Sequence, residues 1–134
     1  MPCPLVLKNV YLFGKQSYQT GPIMEVTFET KKLEQICVSQ DKLRAEFGPR
    51  MSQVIMRRLL DLAAADNLEV MRLLPGRCHE LTENLKGMLA LDLVHPDRLV
   101  FKPGHHPRPQ LAAGGLDWGN VTHVIIIGIG NDHG

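Results

Sequence analysis

The chain has 134 residues, 44% hydrophobic and 22% charged, a length for one domain and a balance that excludes general disorder, collagen-like repeats and coiled coils. Fifteen Lys/Arg against fourteen Asp/Glu leave a formal charge of +1, so no protein-wide field draws in nucleic acid or an anionic membrane, and any basic site must be local. The longest apolar run, Val124 to Ile129 with Gly128 inside it, is far shorter than the roughly 20 residues of a spanning helix, and no membrane partner is expected.

Three cysteines (Cys3, Cys37, Cys78) are an odd number without a C-x-x-C pair, which argues against a disulfide framework and for a reducing compartment. Residues 1–22 hold two lysines and no acidic residue, which leaves 23–134 at −1. Lys8 interrupts the early apolar run and no small-residue cleavage site follows, so a secretory signal is not expected. Residues 1–22 read as an N-terminal extension: start-site residues, a loose arm, or an extra strand around Val10 to Phe13. A single domain follows over 23–134.

Residues 23–28, IMEVTF, alternate at period two and predict a strand with Val26 and Phe28 on one face. Thr30 can cap a helix whose apolar positions, Leu33, Ile36, Cys37, Leu43 and Phe47, recur near helical spacing up to Gly48-Pro49. A second helix starts there, burying Met51, Val54, Ile55, Leu59 and Leu62, and the two read as an antiparallel hairpin. A short helical turn or loop runs to Pro75-Gly76. Arg77 to Leu81, Met88 to Val94 and Arg98 to Lys102 then read as a meander of short strands. Pro103 to Asn120 reads as a long surface loop, and Val121 to Ile129 as a mid-sheet strand buried on both faces. The class is α+β: one strand, a helical hairpin, then about four mainly antiparallel strands with the helices on one face.

In this order the residues resemble a known family. Phe47-Gly48, Arg57-Leu59-Leu62-Ala64, Asn67-Leu68, Pro75-Gly76-Arg77-Cys78-His79-Glu80-Leu81, Leu91-Asp92-Leu93, Arg98-Leu99-Val100-Phe101, Leu116-Asp117-Trp118 and His133 are similar to the HigB/RelE/ParE-like toxins of bacterial toxin–antitoxin modules, the plasmid-maintenance killer proteins. The resemblance spans about Met24 to His133. It implies a RelE-like fold and a cytoplasmic endoribonuclease that cuts messenger RNA on the ribosome. It also implies a cognate HigA-like helix-turn-helix antitoxin, through which the pair reaches its operator DNA. The implied chemistry needs no cofactor: the ribose 2′-OH attacks the adjacent phosphate, with a base, an acid and cationic donors around it.

The candidates for those roles are Arg98, His133 and Arg77 as catalytic groups, and His79, Lys86 and Lys102 as substrate-binding groups. Arg98 matches the family's phosphate-facing arginine, and a planar fork suits two phosphate oxygens. A turn-exit arginine paired with Asp97 or Asp92 is the structural alternative. His133 matches the histidine of the family's tail, and an imidazole suits proton transfer near neutral pH. Arg77 and His79 would share one strand face at period two, lining a groove or merely packing. Lys86 in a turn and Lys102 at a strand end would act electrostatically.

This chain has no lysine in Met88 to Val94, where RelE-type members carry them, and Asp132 stands at the place of the tail tyrosine. A catalytically silent antitoxin-binding module and a ParE-like gyrase inhibitor therefore remain open beside the nuclease. His79-Glu80 lacks the second histidine of a zinc-protease helix, and His105-His106 lacks a third ligand, so no metal is expected. Trp118 either stacks on a base or anchors the long loop.

Overall fold

A computed structural model describes residues 8–12, 15–19 and 24–130. Strands β1 (Lys8–Leu12) and β2 (Lys15–Gln19) pair antiparallel as a separate two-stranded sheet. β3 (Glu25–Phe28) leads into α1 (Lys31–Cys37), and Thr30 caps that helix by accepting the Leu33 N–H at 3.1 Å.

The helical region has a break that its periodicity does not predict, at Val38-Ser39, about ten residues before Gly48. Ser39, in extended conformation, accepts the Lys42 N–H at 3.2 Å and starts α2 (Gln40–Ala64), so a serine N-cap overrides the continuous apolar spacing from Ile36 to Leu43. Gly48 is non-helical at φ 86°, ψ 166°, and Pro49 opens the second half of α2 with its φ already set. A short 3-10 turn, Leu68–Leu73, capped by the Asn67 side chain, completes the helical layer.

The remaining strands are β4 (His79–Glu80), β5 (Leu89–Asp92), β6 (Arg98–Pro103) and β7 (His123–Gly130). They form one five-stranded sheet in the order β3-β7-β6-β5-β4. β4 to β7 are an antiparallel meander, and β3 adds parallel to β7, so the sheet is mixed, and the helices together with β4 to β6 lie between its two parallel strands in the chain. β7 is an interior strand, second from the β3 edge, but is not buried on both faces. Val124 and Ile126 are buried, while His123, Ile125 and Ile127 on the alternate positions are half-buried. The unbroken Val/Ile run conceals that alternation.

The inner face carries the core. Leu43, Ile55, Leu59 and Leu62 from α2 pack with Leu89, Leu91, Leu99, Phe101, Val124 and Ile126 from the sheet. The outer face keeps only a satellite cluster of Leu81, Ala90 and Val100 under the turn at Leu85 and Met88. Sequence periodicity places the helices correctly on one face.

Trp118 is buried, and its indole N–H donates to Glu80 Oε2 at 3.1 Å while the Arg72 guanidinium lies 3.7 Å from the ring centroid. It anchors the long loop to β4. Because it is the only tryptophan, Trp118→Phe can be followed by far-UV dichroism in urea. Losing the indole N–H leaves Glu80 without that donor and lowers stability by about 1–2 kcal/mol; an unchanged midpoint contradicts the anchor.

Cys37 is fully buried and Cys78 half-buried, and burial pushes both thiols up to about 12. At Cys78 the nearby Arg72 charge opposes that rise and Glu80 adds to it. A folded-state thiol held above its unfolded value near 9.0 stays protonated while the unfolded chain ionises. Stability is therefore full below that value and falls as pH rises toward about 12, by at most about 1.4 kcal/mol per pH unit for each thiol. Urea midpoints across that window fall steeply for the wild type and less for Cys37→Ala; parallel profiles contradict this.

Candidate functional site

Alternation along β6 puts Arg98, Val100 and Lys102 on the outer face, away from Leu99 and Phe101. On β5 the same rule gives Ala90 and Asp92, and on β4 it gives His79, the register partner of Ala90. Arg98 lies directly across from Asp92 on one side and Gly130 on the other. An extra residue at Ile127 bulges β7 between the pairs Val100–Gly128 and Phe101–Ile126, and returns Gly128 and Gly130 to the outer face.

Those glycines make a groove. Leu85, Met88, Val100, Ile127, Gly128 and Gly130 line an apolar trough of about 350 Å³, and a Cβ built on Gly128 or Gly130 meets nothing within 4 Å. Its rim at Gly130 is the register neighbour of Arg98. A flat apolar body with an anionic group fits this combination of an aliphatic floor and a guanidinium edge.

Arg77 does not share a strand face with His79. It has a left-handed backbone, φ 49°, and lies outside β4, because Gly76 at φ 111° and Arg77 together turn the chain into the sheet. Its guanidinium instead clamps Asp92, Nε to Oδ2 at 2.9 Å and Nη2 to Oδ1 at 3.5 Å. Asp92 thus engages Arg77. The Arg77 carbonyl lies 2.6 Å from His79 Nδ1. A carbonyl only accepts, so Nδ1 carries the proton and, in the neutral ring, Nε2 carries the lone pair.

Arg77 is therefore tied to Asp92, the register partner of Arg98, while His79 lies on the same outer face two strands from β6, in the row of Ala90 and Val100. The lysines do not join them. Lys102 lies four residues along β6, about 13 Å away at strand rise, with Nζ 3.9 Å from Glu29 Oε2. Lys86 borders a separate, larger cavity of about 720 Å³ at the β4 edge, shared with Glu80, Glu83 and Arg108. Two carboxylates beside two cations suit a phosphate backbone less well than the groove at Arg98 does. His133 lies outside the described residues; β7 ends at Gly130, across from Arg98.

Sequence reasoning missed Asp92 as an organising carboxylate, although Leu91-Asp92-Leu93 already requires it to face opposite to Leu91. It also missed His123, on the outer face of β7, whose Nε2 is joined to Thr27 Oγ1 at 2.9 Å; the alternation with the buried Val124 was the available signal. Among the described residues no group of three or more His, Cys, Asp or Glu could hold a metal ion, and no helix is long and apolar enough to cross a membrane. No family model, curated protein or solved structure matches the chain.

Proposed function

We propose that this chain is the toxin of a toxin–antitoxin module with a RelE-like fold, a cytoplasmic endoribonuclease that cuts messenger RNA on the ribosome. The observation that carries the reading is Arg98 beside the rim of a glycine-floored groove on the sheet face opposite the helices, with the oriented imidazole of His79 on the same face. A base sits in the trough through apolar contact and the scissile phosphate meets the Arg98 fork.

His79 Nε2 takes the proton from the 2′-OH as that oxygen forms its bond to phosphorus. The bond from phosphorus to the 5′ oxygen breaks, and His133 returns a proton to that oxygen. The products are a 2′,3′-cyclic phosphate and a 5′-hydroxyl. Arg77, tied to Asp92, orients rather than touches substrate, and Lys86 and Lys102 add only distant positive charge. The partner that silences the enzyme is a HigA-like antitoxin, which also supplies the operator contacts.

Purified full-length chain added to ribosomes translating a defined message tests this. New fragments ending in cyclic phosphate support the nuclease, and intact message at stoichiometric toxin sinks it. One observation favours a second reading: Asp92 places a carboxylate beside Arg98, where RelE-type members have lysines, and an apolar groove also suits a protein side chain. Intact message together with tight antitoxin binding identifies that noncatalytic module.

A further inference from the structure

We infer that Arg58 of α2 is a positioning residue that, through Gly76 and Asp92, fixes the tautomer of His79 on the outer sheet face. The inference rests on the nuclease reading for its consequence in catalysis, but its geometry stands apart from it.

Arg58 reaches past the sheet end, and its Nε–H donates to the Asp92 carbonyl at 2.9 Å, linking residues 34 apart in sequence. The path exists only because residue 76 is glycine. A Cβ there would stand 2.8 Å from Arg58 Nε and 3.1 Å from Leu91 Cδ2, and the φ of 111° already selects glycine. The Asp92 N–H in turn donates to the Gly76 carbonyl at 2.7 Å, so the backbone of Asp92 is held on both sides, by the turn through its N–H and by α2 through its carbonyl.

Held this way, the Asp92 carboxylate grips Arg77 and keeps it at φ 49°, a left-handed conformation that a non-glycine residue rarely adopts unless its surroundings hold it there. That conformation aims the Arg77 carbonyl at His79 Nδ1. The chain of contacts from Arg58 to His79 therefore ends in one chemical result: a proton on Nδ1 and a lone pair on Nε2. An imidazole of the other tautomer carries its N–H on Nε2 and cannot accept the 2′-OH proton there. The charge of Arg58 itself never reaches substrate, because its hydrogen bond goes to the Asp92 backbone.

Nitrogen-15 correlation spectra of the imidazoles in the full-length chain test this, with the His79 signals assigned through His79→Gln. The wild type shows His79 protonated on Nδ1. Arg58→Met, and independently Asp92→Asn on the outer face, shift it to a mixture of tautomers, and Arg58→Lys restores part of the wild-type population. On ribosomes, Arg58→Met lowers kcat on the order of tenfold with KM unchanged, the pattern of a misaligned base rather than of lost binding. A wild-type His79 protonated on Nε2 overturns the inference. So does an Arg58→Met or Asp92→Asn protein that stays folded and keeps the wild-type tautomer. If the tautomer behaves as expected but the wild type cuts no RNA, the positioning role stands and the nuclease reading falls.

Discussion

Arg98→Ala, expressed without an antitoxin, no longer arrests growth, and in a ribosome cleavage assay the variant is slower by about 10²- to 10³-fold. On the proposed nuclease reading, the guanidinium at the start of β6 supplies two parallel donors to the phosphate as it gains charge in the transition state, and alanine supplies none. Arg98→Lys keeps the charge but loses the planar fork, so it recovers only part of the rate. Because Arg98 is at the half-exposed end of its strand, the alanine variant keeps its fold, which dichroism verifies. A soluble Arg98→Ala protein as toxic as the wild type removes Arg98 from the site.

Phe101→Ala destabilises the domain by about 3–5 kcal/mol, enough to leave much of it unfolded at 37 °C. Phe101 has no exposed surface and is among the largest fully buried side chains, packed in the cluster that joins α2 to the sheet. Its strand neighbour Lys102 points to the outer face, so Lys102→Ala leaves the urea midpoint within about 0.5 kcal/mol of the wild type. Equal effects at these adjacent positions contradict the assignment of faces on β6, and with it the placement of Arg98.

The elements with strong local signals were legible in the sequence. Thr30 caps its helix, the period-two residues Val26 and Phe28 form the inner face of β3, and the meander from Glu80 to Lys102 follows from its turn residues. The break at Ser39 was not, because helical spacing of Ile36, Cys37 and Leu43 survives a short capped interruption. The parallel pairing of β3 with β7 is a contact between residues about a hundred positions apart, which no local pattern encodes.

The site divides in the same way. Arg98 and His79 could be placed on the outer face from alternation alone. Arg77 could not: its left-handed turn depends on Gly76, on the Asp92 clamp and on Arg58 arriving from a helix, all tertiary in origin. Lys86 and Lys102 were grouped with Arg98 by charge, and the sheet geometry separates them.

Inducing the full-length chain without its antitoxin, and mapping messenger RNA 5′ ends in those cultures against Arg98→Ala, tests the central claim most directly. The account predicts rapid arrest with new 5′-hydroxyl ends, confined to translated regions and in frame, in the wild type alone. Unchanged 5′ ends in the wild type, with the protein soluble and abundant, contradict it.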